Sequence, residues 1–213
     1  METNDFSVLI ITYNSENYVI DLLGDIQNVD EDVLNRTLVV DNASSDETVK
    51  FVCSKYPQVK ILQNDVNVGY GSAVNQGVGE IGFELFFLLN PDMRLPDRFF
   101  AEMVSAALPE NFGAIGPLQF KLKGGRKTLN FCWSFWRVEC FKVFLAHKFR
   151  LKRNCKSPIP VTYLNAGCLL VSKPAFLQVG GFNERNFLYG EEPDLFLKFK
   201  LYGFKSFLHP GIE

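Results

Sequence analysis

The run Leu85-Phe86-Phe87-Leu88-Leu89, cut off at Asn90-Pro91-Asp92, constrains this chain more than any other stretch. A short block of large apolar residues bounded by a breaker describes a strand buried on both faces, as in a parallel sheet covered by helices. Pro91 has no N–H for a ladder and biases Asn90 towards an extended backbone, so the strand stops there and the chain turns. Asp92 is left just past the strand's carboxyl end, where open α/β sheets bind ligands. Taken alone, such an Asp reads as a turn or cap residue. Three earlier apolar runs, however, end in the same way.

Residues 7–12 run into Tyr13-Asn14, residues 37–40 into Asp41-Asn42, and residues 59–62 into Asn64-Asp65-Val66-Asn67-Val68-Gly69. Helical spacing fills the gaps: Tyr18, Leu22, Leu23 and Ile26, then a segment towards Tyr56, then small residues over 71–78. Ser44 followed by Glu47 has the form of a capping box for the second of these helices. Strand–helix alternation implies parallel strands joined by right-handed crossovers, which brings all four polar strand ends to one edge of one sheet. That edge is the expected ligand site.

Further along, Pro96-Asp97 opens an amphipathic helix through Phe99, Phe100, Met103 and Leu108, and residues 114–119 read as a fifth strand. Residues 121–127 form a basic turn. Residues 163–172 read as a strand interrupted by Asn165-Ala166-Gly167, and Pro174 starts a helix stopped by Gly180-Gly181. A loop over 182–190 leads to Glu191, Glu192 and Asp194 at a helix start, where acids also suit the macrodipole. Residues 205–208 are a last strand before His209, which stands next to a proline as a loop histidine would.

With 213 residues, 47% apolar content and 21 Phe, the chain fits one α/β domain with a substantial core. Its first residues are polar and acidic, and no apolar run reaches 18 residues, so neither a secretory signal nor a membrane span is expected. Five cysteines, scattered and without a C-x-x-C pair, read as reduced thiols of a cytoplasmic protein. The net charge of −2 hides an asymmetry: residues 126–156 hold nine Lys/Arg against one Glu. An acidic body with one basic, aromatic-rich segment suggests contact with something anionic.

Known nucleotide-binding fingerprints narrow the ligand. Gly69-Tyr70-Gly71-Ser72-Ala73-Val74 lacks the third glycine of a dinucleotide loop and follows the third run rather than the first. No P-loop exists, and no Gly/Arg/Lys-rich loop follows the first strand as a nucleotidyltransferase would need. The edge offers carboxylates and amides but few cations, so a diphosphate would need a divalent metal; oxygen ligands such as Asp92 suit Mg2+ or Mn2+.

Taken together, Tyr13-Asn14, Val39-Val40-Asp41-Asn42-Ala43-Ser44-Ser45-Asp46, Asn67-Val68-Gly69-Tyr70-Gly71 with Ala73 and Asn75, and Leu89-Asn90-Pro91-Asp92 resemble the family 2 glycosyltransferases. Gly180-Gly181-Phe182-Asn183-Glu184 and Phe187-Leu188-Tyr189-Gly190-Glu191-Glu192-Pro193-Asp194-Leu195 are similar to that family's acceptor half, in the same order. The nearest branch is the bacterial rhamnosyltransferase-like group, in which N-P-D replaces D-x-D. The resemblance implies a GT-A fold: a Rossmann-like, mostly parallel sheet with helices on both faces. Over residues 1–213 it implies a nucleotide-sugar half (1–120), a basic aromatic insertion (121–160) and an acceptor half (161–213).

The same resemblance implies inverting transfer from a nucleotide-sugar such as dTDP-rhamnose or a UDP-sugar to a glycan or lipid-linked glycan. Thr12, Tyr13, Asn14, Asp41, Asn67, Gly69, Asn90 and Asp92 would hold the donor, and Asp92 with His209 the metal. Gly167 and Glu191 would meet the acceptor, Glu192 would be the base and Asp194 would assist. Departures from the family pattern are Asn90 in place of an Asp, and Glu192, one methylene longer than the usual Asp. They leave open a catalytically impaired nucleotide-sugar-binding protein, with a nucleotidyltransferase as the other alternative. Residues 131–156 have two readings, a helix packed on the sheet or an anionic membrane contact that would make the protein peripheral on the inner face of the plasma membrane. Nothing points to nucleic acid, and the oligomeric state is left open.

Overall fold

The computed structural model describes residues 5–106, 108–123, 126–129, 157–187 and 190–212. The aromatic-basic segment 131–156, with both readings attached to it, lies outside the described residues, as do Leu188 and Tyr189.

The expected parallel half is present. β1 (Phe6–Thr12), β2 (Thr37–Asp41), β3 (Lys60–Gln63) and β4 (Leu85–Leu89) form parallel pairs in the order β3-β2-β1-β4. Between them run α1 (Val19–Val29), a 3-10 turn (Glu31–Arg36), α2 (Thr48–Lys55) and α3 (Tyr70–Glu80). β4 is a central strand, flanked by β1 and by β9 (Cys168–Ser172). Parallel order with crossover helices puts the carboxyl ends of β1 to β4 on one edge.

The second half is mixed. β9 runs antiparallel to both β4 and β5 (Phe112–Pro117), and β10 (Lys205–His209) is parallel to β5. Residues preceding β9 therefore reach the same edge as the residues following β4. An outer strand not foreseen from sequence, β8 (Ile159–Val161), pairs antiparallel with β10 and completes the eight-stranded sheet. Its Pro160 concealed it, since a proline breaks a strand pattern yet is tolerated where no second neighbour needs its N–H. The basic turn at 121–127 proves to be a separate hairpin, β6 (Phe120–Lys123) with β7 (Arg126–Leu129).

Period-two alternation along β1 assigns its residues to two cores. Val8 and Ile10 face α1, α2 and α4 (Phe99–Val104), where Phe6, Phe87, Phe99 and Phe100 meet edge to face, tilted or stacked. Leu9 and Ile11 face α3, α5 (Lys173–Gln178) and α6 (Glu191–Leu201). Each fully buried Phe or Leu contributes about 1.5–3 kcal/mol, and both faces are filled. α3 can lie close on the sheet because Gly77 has no side chain; a Cβ there would stand 2.4 Å from Leu9 Cδ1.

Two local expectations need correction. Ser44 and Glu47 do not form a capping box: the Ser44 hydroxyl donates to Asp41, and Asp46 accepts from the Thr48 N–H at the start of α2. A side chain three residues back was outcompeted by a buried carboxylate. The interrupted strand expected over 163–172 begins only at Cys168, because Asn165-Ala166-Gly167 belongs to the turn before it.

Candidate active site

The first two strand ends are laced together. Asp41 is wholly buried and accepts from Thr12 Oγ1 at 2.8 Å, Ser44 N at 2.9 Å and Ser44 Oγ at 2.6 Å. Asn42, also buried, accepts from Val68 N and Asn64 Nδ2 and donates to the Gly69 carbonyl, which anchors the third loop. Thr12 and Asp41 thus stand at the expected edge but are sealed under it; the structure leaves them no exposed surface for a donor. The rim is formed by Tyr13, half exposed, and by Asn14, whose Oδ1 accepts from Ser45 N at 2.8 Å. Asn14 and Ala43 both adopt left-handed φ, 49° and 64°. Asn tolerates that region, whereas Ala43 is strained there.

Asn67 closes a turn by accepting from Gly69 N at 2.9 Å. Gly69, at φ 87°, lies against the loop before α6, and a Cβ would stand 2.9 Å from the Phe187 carbonyl oxygen. The next residue, Tyr70, donates its N–H to the same carbonyl at 3.4 Å. Asn75, one turn into α3, fastens the loop further: its amide bonds both the N–H and the carbonyl of Phe182 and reaches Glu184 Oε1.

At the end of β4 the turn forms as the proline demands, with Met93 N donating to Asn90 O at 3.2 Å. Asn90 N donates to the Gly167 carbonyl at 2.9 Å, and Asn90 Oδ1 accepts from the Tyr70 hydroxyl at 3.2 Å. Asp92 is exposed and makes no hydrogen bond or ion pair among the described residues. The loop carrying it is held by Arg94, which forks onto Asp25 of α1 at 2.6 and 2.8 Å, while Leu95 N donates to the same carboxylate.

The acidic start of α6 arrives at this point. Glu192 Oε1 accepts from Ala166 N at 3.2 Å, and the Tyr163 hydroxyl also bonds its carboxylate. Neighbouring residues of one turn, through Ala166 N–H and Gly167 C=O, therefore hold Glu192 and Asn90. Burial pushes the Glu192 carboxyl above the usual range; the charge of Glu191 adds to this, and the bonds from Ala166 and Tyr163 oppose it. Glu191 is buried, and its Oε2 has no hydrogen-bond partner among the described residues. Asp194 pairs with Lys198 at 2.7 Å, and Lys198 also donates to the Gly181 carbonyl. Gly167 itself is enclosed: a Cβ would stand 2.9 Å from Gln119 Oε1 and 3.1 Å from Asn165 Oδ1.

His209 is buried at the end of β10, and its Nδ1 accepts from Gly211 N at 3.2 Å. That bond engages Nδ1 within the turn that follows the strand. β10 also lies three strand spacings from β4, about 14 Å. Among the described residues no group of three or more His, Cys, Asp and Glu is arranged to hold a metal. A single free carboxylate, Asp92, still fits Mg2+ or Mn2+, which keep most of their shell for water and substrate phosphates.

Sequence reasoning located the edge, the N-P-D turn and the acidic helix start. It missed Tyr70, Tyr163, Ala166 and Gln119, which link them. The available signal was the polar interruption Asn165-Ala166-Gly167 inside an otherwise apolar run, and the Tyr between Gly69 and Gly71.

Comparison with known proteins agrees with this architecture. The model of the family described as Glycosyl transferase family 2 matches residues 7–180, stopping before α6. An N-acetylglucosaminyl-diphospho-decaprenol L-rhamnosyltransferase of Mycobacterium tuberculosis is 28% identical over 99% of this chain and 75% of its own length. Among solved structures, GalNAc-T7 with UDP, GalNAc and Mn2+ superposes with a TM-score of 0.76 at 16% identity, over 97% of this chain and 42% of the other. A mannosyltransferase of Pyrobaculum calidifontis with GDP-Man and Mn2+ gives 0.65 at 16% identity, over 97% and 56%. The chain thus spans less than two thirds of either solved relative.

Proposed function

Because the chain belongs to glycosyl transferase family 2 and has the GT-A fold, we propose that it moves a sugar, with inversion, from a nucleoside-diphosphate donor to a hydroxyl of a lipid-linked glycan. The observation that carries this reading is the shared turn at Ala166 and Gly167, which sets a carboxylate of raised proton affinity beside the N-P-D triplet. The activity of the mycobacterial relative, an N-acetylglucosaminyl-diphospho-decaprenol L-rhamnosyltransferase, supports a dTDP-rhamnose-like donor and a diphospho-polyprenol acceptor in cell-surface glycan synthesis; a UDP-sugar is the second donor reading.

In a single displacement the acceptor oxygen bonds to the anomeric carbon as the bond from that carbon to the diphosphate oxygen breaks, and the acceptor's proton passes to Glu192. Glu192 suits this work because it is half-buried, oriented by Ala166 and Tyr163, and inclined to take a proton. Asp194, paired with Lys198, keeps the first turn of α6 in place beside it. Glu191 and Gly167 border the acceptor side. Tyr13 and Asn14 form the rim over which a base would lie, and the buried Thr12–Asp41 pair keeps that rim in shape. Asn67 and Gly69 shape the third loop, and Asn90 meets the ribose or diphosphate. Asp92 would hold a divalent cation, which when bound supplies positive charge for the departing diphosphate.

Calorimetry of dTDP and UDP binding tests the donor half. Wild type should bind one of them more tightly with Mn2+, and Asp92→Ala should lose that gain while keeping its metal-free affinity. Equal Mn2+ affinity in wild type and variant would make Asp92 a turn residue only.

A further inference from the structure

Among the described residues, Tyr70 is the one side chain that touches the donor triplet, the loop before α6 and the field of the acidic pair together. Its hydroxyl donates to Asn90 Oδ1 at 3.2 Å. Its ring meets Phe182 edge to face at 6.1 Å between centroids, and its N–H donates to the Phe187 carbonyl. Burial, with the charges of Glu192 and Glu191 nearby, drives its ionisation far out of reach, so the phenol stays a neutral donor.

An asparagine amide has two faces with opposite chemistry, an accepting oxygen and a donating nitrogen. Asn90 N is already committed to Gly167, which fixes the backbone but leaves the side chain free to rotate by half a turn. In the orientation present here the Tyr70 hydroxyl donates to Oδ1, and Nδ2 is turned away from it. A donor nucleotide offers oxygen acceptors on its ribose and diphosphate, and an outward-facing Nδ2–H matches them; an outward-facing carbonyl oxygen would repel the diphosphate. We infer that Tyr70 is a positioning residue that acts through Asn90, holding the amide nitrogen of the N-P-D triplet towards the nucleotide. The inference rests on the nucleotide-sugar reading of this edge.

The same contact accounts for the asparagine itself. Asp at position 90 would also accept from Tyr70, but would add a second carboxylate at the diphosphate and lose the donor. Asn90 with Tyr70 instead supplies a neutral hydrogen-bond donor and leaves charge neutralisation to whatever Asp92 binds.

A double-mutant cycle separates this role from general packing. Affinities of UDP and dTDP are measured by calorimetry, in EDTA and in Mn2+, for wild type, Tyr70→Phe, Asn90→Ala and the double variant. Tyr70→Phe keeps the ring against Phe182 and should weaken the tighter nucleotide about five- to tenfold in both conditions, the size expected for one hydrogen bond. In the Asn90→Ala background the same change should cost nothing. Thermal melts of each variant check that the fold is retained, and Tyr70→Leu, which likewise cannot donate, serves as a second replacement if Phe is unstable. Additive losses, or an unaffected Tyr70→Phe, would overturn the inference while leaving the nucleotide reading intact. No binding of either nucleotide by wild type would overturn both.

Discussion

At the scale of single residues, Glu192 concentrates the conflict between stability and function. Its carboxyl is raised mainly by burial, so between the ordinary carboxylate value and the raised one the folded state binds more protons than the unfolded state. Stability therefore falls as pH rises through that window, is fully restored below the ordinary value, and stays diminished at neutral pH. Glu192→Gln keeps the shape and the bond from Ala166 but cannot ionise. It should melt at a higher temperature than wild type near neutral pH, with the advantage shrinking as the buffer is taken to pH 4. In the same preparation turnover should drop by roughly 10²–10⁴-fold, the usual range for loss of a general base. Scanning calorimetry at several pH values beside a transfer assay checks both. Wild-type turnover should in turn show an acid limb above the ordinary glutamate range, and near-normal turnover in the variant would shift the role to Glu191 or Asp194.

At the scale of elements, the site is a set of loops, each tied to a helix by one polar side chain. Arg94 and Asp25 hold the Asp92 loop to α1, and Asn75 holds the loop before α6 to α3. Arg94 is well exposed, so its pair with Asp25 should be worth at most about 1 kcal/mol in stability, despite the forked geometry. Its effect on function should be larger than that. Arg94→Ala should lower the melting temperature only slightly, yet reduce the Mn2+-dependent part of nucleotide affinity, leaving metal-free binding unchanged. Asn75→Ala should do the opposite: strand the Phe182 N–H and carbonyl, cost about 1–2 kcal/mol, and raise the acceptor KM more than the nucleotide Kd. Urea unfolding with binding titrations distinguishes the two, and matching profiles would mean that the loops are not independently held.

At the scale of the whole molecule, no helix among the described residues is long and apolar enough to cross a membrane. A polyprenol-linked acceptor would nonetheless bring this edge of the sheet to a bilayer. The segment 131–156, rich in Trp, Phe, Lys and Arg, is the sequence's own candidate for that contact. Each basic residue near an anionic surface adds about 1 kcal/mol, and the attraction is screened by salt. Flotation should recover the protein with anionic vesicles at low ionic strength and lose most of it as salt is raised. Replacing Trp133 and Trp136 with Ser should reduce what persists at high salt. Equal recovery with neutral vesicles, or none with either kind, leaves the packed-helix reading.

Much of this could be read from the chain because the signals are local. The apolar runs, their lengths and the Asn, Asp, Gly and Pro residues that end them determine four parallel strands whose polar ends share one edge, since burial and backbone stereochemistry act over neighbouring residues. Gly180-Gly181, both at positive φ, stop α5 for the same local reason. What lay beyond the sequence depends on partners distant along the chain. β9 is inserted antiparallel between β4 and β5, so residues 165–167 arrive beside Asn90 from the opposite direction. Asp41 and Thr12, legible as polar strand-end residues, are consumed by each other across 29 positions of chain, and by Ser44, and are buried. His209 spends Nδ1 on its own turn. Tyr70, Ala166 and Tyr163 acquire meaning only when α3, the β9 turn and α6 meet. A hydrogen bond between side chains far apart in sequence leaves no periodicity behind, and tertiary packing alone decides which polar groups face a ligand and which face each other.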